Sequence, residues 1–463
     1  MKVGASIHDL PVELLVYILK YMVGMPDNPR VGGPAFFQAC FLTRICKKWR
    51  DIVINTPALW STFNGSLTTR AISRALERSK NAPLQLFLCY PVRFNPELQY
   101  AISKLYAQTN RIDILELCID EQVWPSSLTQ DLCKEALLLE RICMHRFIPT
   151  LRPVVVPSSL FGGVRPPKLR HLSLRFCQVL WDSPWLRDLQ VLEIELGAAQ
   201  QRVGFPQLLD VLRAMESLEV LTLSGCLPVE VPSKILDNAV TLSRLRKLTL
   251  LSAEADTCAA FLHLVDCAPS LLRIRAEASP SKLQPFLEAC TQRLRSNRVN
   301  TLKIDGTYRQ GANIQLQGFY ATDVERPRPV FDIHVTMGIR EPPLLIVSLG
   351  TDVLPITDVH TLHLYTNAVS LDESCMSSLS KNLPNLRTLD ISHDADLHAW
   401  IAFVLADVPF AKLGKVQQPA LWMPDPEVVL DLQKTIEQEV VFVERSLDAG
   451  PPRDYDHRWA MDW

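Results

Sequence analysis

The densest group of ionisable side chains lies in "SHDADLH", residues 392–398, where His393, Asp394, Asp396 and His398 crowd together. Imidazoles and carboxylates are ligands for zinc and other divalent ions, but a site needs three or four of them converging. A solvated loop with helix-capping aspartates supplies the same residue types, and no metal is assigned to it. His360 and His363 stand three apart in an expected strand, so they point to opposite faces and cannot share an ion. Nucleotide-binding and hydrolytic signatures are missing as well: the chain holds no G-x-G-x-x-G, P-loop, G-x-S-x-G or H-E-x-x-H. Its twelve cysteines form no C-x-x-C and favour apolar neighbours, as in "FQACFLTRIC". They are expected to be buried, reduced thiols. No catalytic residue and no cofactor is expected.

A second kind of chemistry is recognition by charge. Lys247, Arg273, Arg275 and Lys303 are expected on one face of three neighbouring strands, roughly 5 Å apart per step. Clustered arginines can pair with phosphate or carboxylate on a partner peptide. Glu277 and Asp305 sit beside them, and a neutralised mixed-charge face is the plainer reading. His363 and Tyr365 would extend this face further along the chain.

These side chains can share a face only if a repeat positions them. The template L-x-x-L-x-L recurs as "LRHLSL" at 169, "LQVLEI" at 189, "LEVLTL" at 218 and "LRKLTL" at 245. Looser copies start at 83, 112, 139, 271, 299, 330, 359 and 386, and successive starts differ by 29, 27, 30, 20, 29, 27, 26, 28, 31, 29 and 27 residues. Helix-like segments such as "FPQLLDVLRAME" lie between the copies. An ordinary α/β sheet also has apolar strands, but it has no reason to keep one spacing. Template positions 3, 5 and 7 would point away from the buried side, because strand side chains alternate. Residues 307–329 read as a hairpin or long loop that interrupts the regularity. The repeats are expected to stop near residue 415, followed by a helix over "DPEVVLDLQKTIEQEVVFVERSL" and a tail.

The first 63 residues are different. "DLPVELLVYILKYM" places Pro11 and Glu13 at a helix start, with Leu10, Leu14, Ile18 and Met22 four apart. "GMPDNPRVGGP" must be a loop, and "AFFQACFLTRICKKWRDIVINT" reads as a second helix, with Phe41, Leu42, Ile45, Trp49, Ile52 and Val53 on one side. So few residues bury little apolar surface alone, so this unit packs on the rest of the chain or waits for a partner.

"LPVELLVYIL" followed by "ICKKWRDIV" resembles an F-box, and the trailing "TPALW" is similar to that of F-box proteins abundant in filamentous fungi. The resemblance covers residues 7–63, with a longer loop than the compact F-box between its helices. The strand template and its period are those of leucine-rich repeats, whose Asn/Cys slot holds Cys177, Cys226 and Asn367. The implied fold class is α/β: an N-terminal helical F-box followed by an irregular leucine-rich-repeat solenoid of parallel strands and helices. Its parts are residues 1–63 (F-box), 64–110 (helical linker into the first repeats), 111–415 (repeats) and 416–463 (C-terminal helix and tail).

The resemblance also implies a function. The F-box would dock on a Skp-type adaptor, and through it a cullin, by Leu10, Pro11, Leu14, Leu15 and Ile18, with Ile45 and Trp49 supporting the second helix. The repeats would bind a protein target for an SCF-type ubiquitin ligase. The alternative is a non-catalytic scaffold that holds a partner without its ubiquitination. Net charge is −2 over 463 residues, which argues against nucleic acid as a partner. The start lacks an apolar signal region and no stretch reaches membrane-spanning length, so the expected location is cytoplasm, nucleus or both.

Overall fold

All twelve template copies form strands. The computed structural model describes residues 7, 10–23, 35–64, 67–90, 96–119, 126–146, 154–197, 202–228, 230–231, 239–294, 297–308, 312–320, 329–338, 352–366, 373–391, 413, 415–419 and 441–445. The chain divides into two units, residues 1–201 and 202–462.

The first unit opens with α1 (Val12–Met22), α2 (Ala35–Leu42) and α3 (Lys47–Ile54). Leu15, Leu19, Phe36, Ala39, Leu42, Trp49, Ile52 and Val53 fill its core. The single helix expected over residues 35–56 is broken at Thr43–Cys46. Thr43 Oγ1 donates to Cys40 O at 2.6 Å, Cys46 Sγ accepts from the Trp49 amide at 3.5 Å, and Arg50 Nε donates to Thr43 O at 2.9 Å. Side chains thus take over backbone groups that the missing turn would have paired. A 3₁₀ turn, Pro57–Trp60, comes after α3, and its indole Nε1 donates to Val53 O at 2.8 Å. Trp60 is fully buried, so it anchors the end of the helical module.

Next come β1 (Thr62–Asn64), α4 (Thr69–Ser79), β2 (Leu84–Tyr90), α5 (Pro96–Tyr106), β3 (Ile112–Ile119), α6 (Ser126–Asp131), β4 (Arg141–His145), β5 (Val154–Val155), β6 (His171–Arg175), β7 (Cys177–Gln178) and β8 (Val191–Glu195). Strands β1, β2, β3, β4, β6 and β8 lie side by side in that order, every pair parallel. The fourth template residues, Leu86, Leu115, Ile142, Leu172 and Leu192, are register partners and are all buried. Residues 64–110, expected as a helical linker, therefore already contribute strands.

The second unit contains α7 (Phe205–Arg213), β9 (Val220–Ser224), β10 (Val240–Thr241), β11 (Lys247–Glu254), α8 (Ala255–Leu264), β12 (Val265–Asp266), β13 (Leu271–Ala278), α9 (Pro280–Leu294), β14 (Thr301–Tyr308), β15 (Ala312–Phe319), β16 (Pro329–Met337), β17 (Thr361–Thr366), α10 (Glu373–Asn382), β18 (Thr388–Ile391), β19 (Lys415–Pro419) and β20 (Val441–Arg445). Its large sheet runs β9-β11-β13-β16-β15-β14-β17-β18-β19-β20. Only β15 is antiparallel to its neighbours. Helix α8 packs on β11 and β13, and α9 on β13.

Chain order and spatial order part company at the meander β14-β15-β16. The segment expected as hairpin or loop supplies β15, which forces β16 rather than β14 against β13. Register also corrects two template copies. Leu248 pairs with Leu272, and Leu272 with Phe331, so the copies at 271 and 330 begin two residues earlier than read. A shift of two leaves every side chain on its expected face, because the strand period is two. Gly318 lies opposite Phe331, and a Cβ there would fall inside the buried Phe331 ring.

The repeat is visible in its turns. Leu169, Leu218, Leu245, Val359 and Leu386 each donate an amide to the carbonyl three residues back, at 3.0–3.1 Å. The next residue's carbonyl (Arg170, Glu219, Arg246, His360) then receives an amide from the strand beside it. Phe176, Gly225 and Ser252, two residues after the buried Leu174, Leu223 and Leu250, have φ of 54°, 65° and 56°, the last at a bulge inside β11. Cys177 and Cys226, at the Asn/Cys slot, are buried beneath that turn. Asn367 lies outside the described residues.

The expected end at residue 415 is a further strand. β19 pairs with β18, and β20 with β19, both parallel. The expected C-terminal helix is a strand over Val441–Arg445, where β-branched and aromatic residues suit the pleat. The rest of that helix and the tail lie outside the described residues.

Candidate protein-interaction surfaces

Two surfaces carry the residues that sequence singled out. The first is the helical module. Leu14 and Ile45 are 52% and 48% exposed, Pro11 is exposed, and Leu10 and Ile18 are half-buried. Leu15 and Trp49 are at 0% and 6% and belong to its core, so they support the surface without reaching it. The expectation that Phe41 and Ile45 share the buried face is corrected, because the break before Cys46 turns both outward.

Sequence reading missed much of the exposed apolar area. Tyr17, Tyr21, Phe37 and Phe41 are among its most exposed members. The signal was there: "VELLVYILKYM" is apolar on more than one stripe and "AFFQACFL" on all sides, more than one buried face consumes.

The second surface is the sheet face that carries outward side chains in the second unit. Its expected basic spot does not assemble. Lys247 on β11 is next to β13, but β16 and β15 separate β13 from β14, which puts Lys303 three strands from Arg273, about 14 Å. The physical reason is the meander. Nor is the positive charge free: Arg273 Nε donates to Asp332 Oδ2 at 3.0 Å, and Gln315 Nε2 to Asp332 Oδ1 at 2.7 Å. Lys303 pairs with Asp305 at 3.5 Å, as expected, whereas Asp332 and not Glu277 neutralises Arg273.

Arg275 Nε donates to His334 Nδ1 at 3.1 Å. Burial and the neighbouring Arg275 charge hold the His334 pKa below its ordinary value against the opposite pull of Asp332, which keeps the ring neutral and able to accept. His363 Nδ1 lies 2.9 Å from the buried Asp390 Oδ2 and is the register partner of Lys303. Tyr365 stands opposite Asp305 by backbone register. The face is thus a row of paired side chains crossing β13 to β18, in which Arg275 keeps its charge because its partner His334 is neutral.

The first unit's outward face carries related pairs. Arg175 and Glu195 meet at 2.8 Å, and burial raises the Glu195 carboxyl against the lowering effect of Arg175. His171 is pushed down to about 4 by burial and by the Arg141 charge. Glu193 Oε2 lies 3.9 Å from its Nε2, beyond hydrogen-bond length, so it does not reverse that direction.

Among the described residues no group of three His, Cys, Asp or Glu side chains converges to hold a metal; His393, Asp394, Asp396 and His398 lie outside them. The described cysteines form no disulfide. Burial pushes the Cys143 and Cys177 thiols up to about 12 and Cys267 to about 11, which removes their nucleophilic form near neutral pH. No described helix is long and apolar enough to cross a membrane.

No protein-family model and no curated protein matches the chain. What the fold defines is a class: a mixed α/β protein with extensive, mostly parallel sheet and helices between its strands.

Proposed function

We propose that this chain is a substrate-recognition subunit of an SCF-type cullin ubiquitin ligase. Its F-box-like helices dock on a Skp-type adaptor, and its leucine-rich-repeat-like solenoid holds a protein target. One observation carries the docking half. Of the seventeen large apolar side chains exposed among the described residues, ten lie between Ile7 and Ile54. Concentrated exposed apolar area marks an interaction site.

The mechanism is proximity. Tethering a target beside the ubiquitin-charged enzyme raises the effective concentration of its lysines, and this chain contributes no group to the transfer itself. The row of side-chain pairs Arg273–Asp332, Arg275–His334, Lys303–Asp305 and His363–Asp390 offers a partner donors and acceptors of both signs. It suits a polar, mixed-charge protein surface better than a phosphate group. Cytoplasm, nucleus or both are the compartments in which this role operates.

The test is co-expression with a Skp-type adaptor, comparing the intact chain with Leu14→Asp/Ile45→Asp. Both positions are exposed, so the variant folds. A one-to-one complex lost in the variant is the expected result. A well-folded intact chain that forms no complex refutes the docking half.

A further inference from the structure

The helical module and the helix after it carry a charge bias that apolar docking does not explain. Residues 35–80 contain eight Lys/Arg against Asp51 and Glu77, a local balance of +6 in a chain of net charge −2. Arg70, Arg74 and Arg78 recur every four residues on α4 and so form one stripe. Like charges at that spacing repel and weaken a helix, so the stripe has a cost in the free chain.

The structure brings this stripe to α2. Arg78 lies over the Trp60 ring at 4.3 Å, and Phe36 meets the same indole edge-on at 5.8 Å. Helices α4 and α2 both pack on the turn that carries Trp60. Burial raises the thiol of Cys40 on α2 against the lowering effect of the Arg78, Arg44 and Arg74 charges. On the same helix Phe37 and Phe41 are 49% and 66% exposed. Among the described residues Arg44, Arg70, Arg74 and Arg78 make no ion pair with a carboxylate.

We propose that the partner docking on the helical module is an acidic protein whose carboxylates meet the Arg70–Arg74–Arg78 stripe while its apolar side chains cover Phe37 and Phe41. This rests on the docking reading above. It extends the contact onto α4, outside the F-box-like segment, and assigns the partner's charge. A nucleic acid would use the arginines and stack on the phenylalanines, but it offers nothing aliphatic to cover Val12, Leu14 and Ile45. A protein surface offers both.

The experiment titrates a Skp-type adaptor onto the full chain at about 50 mM and about 500 mM salt, where screening lengths differ severalfold. The variants are Arg70→Glu/Arg74→Glu, both exposed, and Glu77→Lys. The double reversal is expected to weaken binding about tenfold at low salt and to flatten its salt dependence. Glu77→Lys is expected to tighten it, a gain that misfolding cannot produce. Adaptor binding that is equal for the intact chain and both variants overturns the inference and leaves the docking reading standing. An intact chain that binds no adaptor at any salt refutes that reading and the inference with it. A single-stranded RNA oligomer that displaces the adaptor, and loses this ability in the double reversal, overturns the inference in favour of nucleic acid.

Discussion

His171 shows what one buried ring does to the whole chain's response to pH. Its native pKa of about 4 lies below the ordinary value of 6.5. Between those values the unfolded chain binds the extra proton, so stability rises with pH across that window and is lost on acidification. The full effect is on the order of 3 kcal/mol. Urea unfolding of the intact chain and His171→Gln at about pH 4 and about pH 7.5 is expected to show a smaller acid loss in the variant. Gly318 is a different constraint. Because a Cβ there meets the Phe331 ring, Gly318→Ala is expected to cost roughly 1–3 kcal/mol by overpacking. An unchanged melting temperature would show that Phe331 finds another rotamer.

At the scale of elements a recurring device is a left-handed residue just past β6 and β9 and at the bulge within β11. Phe176 and Ser252 adopt the left-handed backbone that Gly225 adopts at the equivalent place. A non-glycine residue pays about 1 kcal/mol there, and Ser252 is exposed with no packing role to lose. Ser252→Gly is therefore expected to stabilise the chain by roughly 0.5–1 kcal/mol, measured by thermal unfolding. A loss of stability would mean that the serine hydroxyl matters more than its backbone. The break between α2 and α3 belongs to this scale too. Phe41 and Ile45 look inward on a continuous helix, and three short-range hydrogen bonds at Thr43, Cys46 and Arg50 turn them out.

For the whole molecule the balance of covered and uncovered apolar surface matters most. The sheet cores are closed by leucines in register, while the helical module leaves Leu14, Tyr17, Phe37 and Phe41 uncovered. A patch of this kind associates with itself when nothing else covers it. Light scattering of the isolated chain is expected to show a mass that rises above 52.3 kDa with concentration, and Leu14→Asp/Ile45→Asp is expected to suppress the rise. A concentration-independent monomer would mean that the patch is covered within the chain.

Spacing alone located twelve strands, and half of the six described helices between them, because a strand with one buried face must alternate and a repeat must keep its length. Helical periodicity also placed Trp49 on the inward side of its helix, where the structure buries it. Spacing could not decide which strands are neighbours. A parallel strand and the return strand of a meander carry the same alternation, so β16 took the place beside β13 that chain order assigned to β14. That exchange dispersed the expected basic spot and gave Arg273 its partner Asp332, 59 residues away. Strand β20 was hidden for a related reason: "VVFVER" fits a helix by period and a strand by β-branching, and the open edge of β19 settled it. Which residues alternate is local chemistry; which strands meet is decided only when the whole sheet closes its hydrogen bonds.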